Sequence, residues 1–416
     1  MGSVDRETWI IDGVRSPRGR GRVGGGLAHL HPQRVMSQVL VALLDRTGIA
    51  KEDVEDVILG CGAGSGDHAA DIARLSVLDA GWGDQAPGVT LNRYCGSGQQ
   101  AVNFGAQAIL SGYQEVVIAG GVESMSRYSD TLAIGLESNN RHLFSQYPLV
   151  HQGVSADLLA SLNGISRRDV DEYAVQSQQR AALAVEEGRF QRSVIPILND
   201  DGTLALDHDE HIRPSTSLEA LSNLKPSFEE LGMTVAAGYD KTPDEYCLDV
   251  YPQLNRIKHV HHAGNSSGVV DGASGIVLTS SDYAVSNGLK PRARVVMGSV
   301  VASEPVLMLS GPAAAAQACL KKANMRLEDI DLFEVNEAFA AVVLTFLAKT
   351  GVDQSRVNVC GGGIALGHPI GATGPMLIQT LLDELEHRGQ STGMVVMCTG
   401  GGMATATIIE RVETKE

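Results

Sequence analysis

The sequence has no run of about eighteen consecutive apolar residues, so no segment reads as a membrane-spanning helix. Its opening, Met1-Gly2-Ser3-Val4-Asp5-Arg6-Glu7, lacks the basic and apolar regions of a secretory signal. The six cysteines lack paired spacing, which argues against a disulfide scaffold and points to a reducing compartment. A cytoplasmic location is therefore expected. No basic stripe occurs, and the net charge of −16 argues against a nucleic-acid role. Aromatic residues are scarce, at 4%. Glycine is abundant instead, 47 of 416 residues, a composition that suits an α/β protein with many close backbone approaches. The length allows two or three domains, or one large double domain.

The most informative stretch is Arg93-Tyr94-Cys95-Gly96-Ser97-Gly98-Gln99-Gln100-Ala101. Cys95 follows the strand-like run Pro87 to Leu91 and precedes a helical run from Gln100 to Leu110. A helix N-terminus presents unpaired N–H groups and the positive end of the macrodipole, which favour a thiolate over a thiol. Gly96 and Gly98 remove side chains where a substrate carbonyl would approach the backbone. A buried, inert cysteine at a strand-to-helix turn is the other reading that this motif allows.

Three blocks near the far end add polar residues without an obvious packing role. They are Asn336-Glu337-Ala338-Phe339-Ala340, Gly367-His368-Pro369-Ile370-Gly371-Ala372-Thr373-Gly374 and Cys398-Thr399-Gly400-Gly401-Gly402-Met403. Each lies at the end of a strand-like run or the mouth of a helix, where α/β sheets present their working residues. Together with Cys95 they make a nucleophile, a base and an orienting group available. Asn336 also suits a helix N-cap.

Two segments share one plan. Cys95-Gly96-Ser97-Gly98, a helical run to Gly112 and the strand Glu115 to Ala119 end in Gly120-Gly121. Gly371-Ala372-Thr373-Gly374, a helical run to Arg388 and the strand Met394 to Cys398 end in Gly400-Gly401. Continuous apolar strands between helices imply sheets covered on both faces. An internal duplication predicts two similar α/β halves packed together. The region between them, about 127–262, is more polar, with a helix predicted from Arg167 to Glu187. Ser166 and Asp169 would cap it, and Ala181, Ala182, Leu183 and Val185 would lie on its apolar side. The chain then returns to the first half through Asp271 to Leu278.

The four blocks resemble the signature set of the thiolases, acyl-CoA acetyltransferases that make or cleave a carbon–carbon bond next to a thioester. The resemblance runs from Ile11-Asp12-Gly13-Val14-Arg15-Ser16-Pro17 to Ile408-Ile409-Glu410. It includes Ala119 to Ser126 and Ala263-Gly264-Asn265-Ser266-Ser267-Gly268. It implies a five-layer αβαβα sandwich, with an N-terminal half at 1–126 completed by about 263–289. A loop domain at 127–262 would cover the active site, and the C-terminal half would span 290–416.

The resemblance also implies roles. Cys95 would carry the acyl group, and His368 would act as general base. Cys398 would move the α-proton of acetyl-CoA. Asn336 would hold a water that, with His368, stabilises the enolate oxygen, while the N–H groups of Cys95 and Gly400 would receive the oxyanion of the tetrahedral intermediate. Glu337 would support the site rather than act as a base. Ser267, His151, Arg213, Phe228, Ala338 and Phe339 would line the path of coenzyme A. The expected partners are acyl-CoA and coenzyme A, with no covalently bound cofactor and no metal. A homodimer or homotetramer is expected, since a double domain of this kind buries its edge strands best against a second copy.

Three places depart from the family pattern. Gln152 stands in His151-Gln152-Gly153 where methionine is usual, which unsettles the acyl-chain specificity. An extra piece at about 232–261 carries Tyr239, Tyr246, Tyr251 and His259-Val260-His261-His262 beside the expected pantetheine site. A metal site on those histidines is disfavoured because no acidic or cysteine partner is near in sequence. Cys360 stands where asparagine is usual and would be an additional oxidation-sensitive thiol. Two other readings are weaker. A β-ketoacyl synthase would replace Cys398, and a non-catalytic acyl-CoA- or lipid-binding relative would have lost catalytic residues that are all present.

Overall fold

A computed structural model describes residues 6–128 and 140–412. Met1 to Asp5 of the opening, and residues 129–139 and 413–416 of the expected segments, lie outside the described residues. The strands are β1 (Thr8–Arg15), β2 (Gly19–Arg20), β3 (Asp56–Gly60), β4 (Val89–Leu91), β5 (Val116–Ser124), β6 (Ile197–Leu198), β7 (Leu204–Leu206), β8 (Val270–Ser280), β9 (Ala293–Ala302), β10 (Leu332–Val335), β11 (Thr392–Thr399) and β12 (Met403–Arg411). Their order is β10-β11-β12-β9-β1-β8-β5-β3-β4, with β2 on β8 and β6-β7 apart as a small hairpin.

Among the described residues the sheet consists of two halves joined by two paired positions, Trp9 with Arg294 and Ile10 with Ala293. In the first half β5 runs parallel to β3 and antiparallel to β8, which pairs antiparallel with β1. In the second, β11 runs parallel to β10 and antiparallel to β12, which pairs antiparallel with β9. One topology therefore occurs twice, and β8 brings the chain back into the first half.

Strand side chains alternate between faces, so each apolar strand feeds two cores. Val116, Ile118 and Val122 of β5 pack outward among residues of helices Pro32–Thr47 and Ile72–Asp79. Val117 and Ala119 pack inward with Ala101, Val102 and Ile109 of helix Ser97–Leu110 and Leu377, Ile378 and Leu381 of helix Thr373–Arg388. Val395 and Met397 of β11 face that same inner core, whereas Met394 and Val396 face outward to helices Pro312–Ala323 and Ala340–Thr350. The result is a five-layer αβαβα sandwich with the two glycine-led helices in its middle. Polar groups pin that layer to both halves of the sheet. Gln99 Nε2 donates to Val395 O at 3.0 Å, and Gln379 Nε2 donates to Val14 O at 3.1 Å and Gly275 O at 3.0 Å. Among the described residues no helix is long and apolar enough to cross a membrane.

The helix predicted from Arg167 runs to Glu186 and begins with the Ser166/Asp169 capping box. Its buried side differs from the expected one. Val170, Tyr173, Ala174, Ser177, Ala181 and Ala184 face the protein, while Leu183 and Val185 are exposed. A helical repeat places 181 and 184 on one face and 183 and 185 off it, so the run of small and apolar residues did not define the buried stripe.

The middle layer fits only because side chains are missing where backbones meet. A Cβ on Gly121 would overlap the carbonyl oxygen of Gly371, and one on Gly98 would overlap the same atom. A Cβ on Gly60 would strike the backbone of Ser97 and Gly98. Rigid backbone cannot yield as a flexible side chain does. Gly121→Ala is therefore expected to lower stability by about 3 kcal/mol, read as a loss of denaturant midpoint at unchanged slope. A wild-type midpoint would contradict this packing.

Candidate active site

Cys95 sits two residues before helix Ser97–Leu110 and is only 4% exposed. Tyr94, at φ 49°, makes the sharp turn that delivers it there. Burial pushes the thiol up to about 11, opposed by the N–H groups of Gly400 and of Cys95 itself, which approach the sulfur. The two N–H groups expected to form an oxyanion hole thus converge on the nucleophile's side of the pocket.

His368 lies on the loop before helix Thr373–Arg388 and is held by its own N–H donating to Gly268 O at 2.9 Å. Burial, with a contribution from Arg18, lowers the imidazole to about 4 and keeps it neutral. Its tautomer follows from the neighbours. The Thr373 hydroxyl donates to Pro369 O at 2.8 Å, so it accepts from His368 Nδ1 at 2.5 Å. The proton is therefore on Nδ1, and Nε2 presents a lone pair. Asn336 Nδ2 donates to that Nε2 at 3.3 Å.

Asn336 does not cap a helix as the sequence allowed. Helix Ala340–Thr350 begins four residues later, with Phe339 in the N-cap position. The Asn336 N–H instead donates to Val396 O, extending the β10–β11 pairing. Its buried Oδ1 has no protein partner, which fits an acceptor for a bound water. Cys398, near the end of β11, packs among Ala156, Leu159, Met308, Ala338 and Phe339. Burial pushes its thiol well up, and the Cys95 sulfur is near enough to push it further.

Two buried carboxylates hold this arrangement, and the sequence drew attention only to one. Glu337 accepts from Tyr173 Oη at 2.8 Å, Ser177 Oγ at 2.6 Å, Asn358 Nδ2 at 3.1 Å and the Ile364 N–H at 3.1 Å. These bonds occupy it fully, as expected of a supporting group. Glu123, which sequence reasoning missed, accepts from the N–H groups of Gly62 at 2.7 Å, Ala63 at 3.0 Å and Gly371 at 2.8 Å. It ties the loop after β3 to the His368 loop, reaching Gly371 from 248 positions away in sequence.

The expected coenzyme A residues divide into two sets. Ser267, Arg213 and Phe228 line one cleft of about 740 Å³, together with Arg20, Arg22 and His211. Burial, then the nearby Arg213 and Arg20, lowers His211 to about 4, so the cationic charge is carried by the arginines. Arg20 and Arg22 were not anticipated, although the run Arg18-Gly19-Arg20-Gly21-Arg22 was a readable signal. Ala338 and Phe339 are buried and form the other set with His151, which is exposed. The ring of Phe228 stands 5.4 Å from His151 and 5.9 Å from Phe339, and Ala338 and Phe339 share the apolar pocket of Cys398. The Ser267 N–H donates to Ala338 O at 2.9 Å, joining the two sets. A separate cavity of about 620 Å³ around Asp12, Arg46, Arg292 and Glu386 is walled by ion pairs and contains none of these groups.

Cys360 does not behave as the expected oxidation-sensitive thiol. It is 1% exposed, and burial followed by the charge of Glu384 pushes its thiol well up, the opposite of a reactive cysteine.

Residues 8–244 match the family profile described as "Thiolase, N-terminal domain", and residues 289–411 match "Thiolase, C-terminal domain". The chain is similar to a steroid 3-ketoacyl-CoA thiolase of Mycobacterium tuberculosis, with 37% identity over 99% of this chain and 96% of the relative. It is similar to an acetyl-CoA acetyltransferase of Chromobacterium violaceum at 38%, over 94% of this chain and 96% of the relative. A β-ketoadipyl-CoA thiolase of Pseudomonas knackmussii matches at 37%, over 98% and 100%. Among solved structures, an acetyl-CoA acetyltransferase of Bacillus anthracis superimposes with a TM-score of 0.82 at 33% identity, covering 99% of this chain and 100% of that one.

The histidines of the extra piece do have acidic partners, contrary to the sequence reading. His259 Nδ1 lies 2.8 Å from Asp157 and its Nε2 lies 2.9 Å from Asp244. His261 Nδ1 lies 2.7 Å from Asp157, and His262 Nε2 lies 2.9 Å from Asp171. The folded chain supplies what sequence neighbours do not. Each carboxylate is spent directly on an imidazole, and among the described residues no group of His, Cys, Asp and Glu is arranged to hold a metal ion. Although burial opposes it, the hydrogen bonds His259 donates to Asp157 and Asp244 raise it to about 9. A folded value above the unfolded one means stabilisation that is complete below about pH 6.5. It is lost as pH rises through about 9. Wild type is therefore expected to lose more thermal midpoint than His259→Gln between pH 6.5 and 9. Equal losses would show that His259 is not held as an imidazolium.

Proposed function

The chain belongs to the thiolase family of acyltransferases, and we propose that it exchanges acyl groups between coenzyme A thioesters through an acyl-Cys95 intermediate. In one direction it cleaves 3-oxoacyl-CoA with coenzyme A; in the other it condenses two acetyl-CoA molecules. The observation that carries the mechanism is the neutral His368, whose Nε2 is left as the acceptor by the Nδ1–Thr373 bond and is met in the resting site by only the long 3.3 Å contact from Asn336, in a pocket where burial keeps both Cys95 and Cys398 protonated.

In cleavage, His368 Nε2 takes the Cys95 proton as the sulfur attacks the 3-oxo carbon. The carbon–carbon bond breaks, and its electron pair becomes the enolate of acetyl-CoA. Cys398 protonates the enolate carbon, a task suited to a thiol whose own ionisation is suppressed. The imidazolium and a water on Asn336 Oδ1 face the enolate oxygen, and the N–H groups of Cys95 and Gly400 face the oxyanion of each tetrahedral adduct. Incoming coenzyme A gives its thiol proton to Cys398 and attacks the thioester on Cys95. The acyl group leaves as acyl-CoA, and the Cys95 sulfur recovers its proton from His368.

Arg20, Arg22 and Arg213 make the cleft that suits the phosphates of coenzyme A despite the acidic whole chain. Ser267 and the Phe228–Phe339 pair lead from it toward the thiols. The extra piece at 232–261 reaches the same wall, because the His261 ring packs 5.4 Å from that of Phe339. That contact and Gln152 favour an acyl group other than a plain acetyl unit. The short edge strand β4 leaves Val89 45% exposed, and a second copy of the chain is the expected cover, giving a dimer or a dimer of dimers.

Thiolysis rates across 3-oxoacyl-CoA substrates of increasing chain length test the reading. The expected result is activity that rises beyond acetoacetyl-CoA and falls by at least about a thousand-fold in Cys95→Ser. Activity confined to acetoacetyl-CoA would overturn the acyl-group assignment. Turnover that survives in Cys95→Ser would overturn the mechanism.

A further inference from the structure

Gln152 opens helix Gln152–Leu162, at the place where the thiolase pattern has methionine. His151 fixes that first turn, its Nδ1 accepting from the Gly153 N–H at 3.0 Å. The turn aims the carboxamide into the site. A Cβ built on Gly400 would meet Gln152 Nε2 at 3.3 Å, beside the ring of Tyr94. That places the amide on the Gly400 side of Cys95, and both it and the Gly400 N–H favour the ionised sulfur. No other hydrogen bond holds this carboxamide among the described residues.

We propose that Gln152 is a catalytic residue of the acyl transfer, its Nε2–H donating to Cys95 Sγ as the sulfur gives up its proton. The inference rests on the reading of Cys95 as the nucleophile. Methionine has no donor and cannot fill this role. The step leaves Gln152 itself unchanged. The S–H bond breaks, its proton goes to His368 Nε2, and the electron pair left on sulfur forms the bond to the acyl carbon. A donor that meets the charged form favours it, and here it opposes the burial that holds the thiol up. Once the sulfur is acylated it is a poor acceptor, and the amide is released to face the acyl group. A site with this donor no longer depends on the backbone N–H groups alone to make the thiolate.

Alkylation of Cys95 by iodoacetamide, followed by peptide mass across pH, reads this without substrate or turnover. Gln152→Met removes the donor, Gln152→Asn withdraws it by one methylene, and Gln152→Glu puts a carboxylate in its place. In the Met and Asn variants the rate at pH 8 is expected to fall about ten-fold, with the pH profile displaced upward. Gln152→Glu is expected to fall further. Wild-type profiles in folded variants would overturn the proposal. If the Met variant does not fold, the Asn and Glu variants decide. Failure of the nucleophile reading would look different: wild-type Cys95 would then take no acetyl group from acetyl-CoA, whatever stands at 152.

Discussion

Backbone meets backbone at the centre of this molecule, and the site exists because nothing but hydrogen stands on Gly60, Gly98, Gly121 and Gly371. Those glycines let the end of the first-half sheet, the start of the Cys95 helix and the His368 loop share one small volume. Glu123 then locks the arrangement, its carboxylate satisfied by three N–H groups from two distant loops. A buried carboxylate is costly unless its oxygens are occupied, so this one also specifies where the His368 loop must lie. Duplication supplies two equivalent helices for the middle layer. Glycine contact and Glu123 convert that symmetry into a site with different chemistry from each half.

The same burial governs the electrostatics. It raises both thiols and lowers the imidazole, so the resting site holds its protons on sulfur and carries no net charge on these groups. Charge develops only when a substrate accepts it. On the proposed mechanism the N–H groups of Cys95 and Gly400 already wait at that point, and His368 becomes a donor there once it has taken the Cys95 proton. The arginine-lined cleft lies outside this neutral pocket. The phosphates can thus be bound by charge without disturbing the proton positions inside.

Much of this was legible in the sequence because it is local. Strand, glycine turn and helix are short-range patterns, and they placed Cys95 before its helix, Cys398 at a strand end and Ser166 on its capping box. Repetition of the pattern made the duplicated topology readable as well. What escaped depends on contacts between distant residues. Glu123 reads as one more residue in an apolar strand until Gly371 folds onto it. The acidic partners of His259 and His262 are supplied by Asp157, Asp244 and Asp171, of which Asp157 and Asp171 come from far back in the chain. Asn336 looked like a cap because strand end and helix start are close in sequence, yet a non-helical stretch ending in the extended Phe339 separates them. Leu183 and Val185 misled because composition was read without the helical period that puts Ala181 and Ala184 inside.

The central claim is that Cys95 carries the acyl group, and mixing the purified protein with acetyl-CoA alone tests it most directly. The account predicts one acetyl group per chain by intact mass, mapped to the Cys95 peptide and removed when free coenzyme A is added. No adduct, or an acetyl group on Cys398 with Cys95 unmodified, would contradict it.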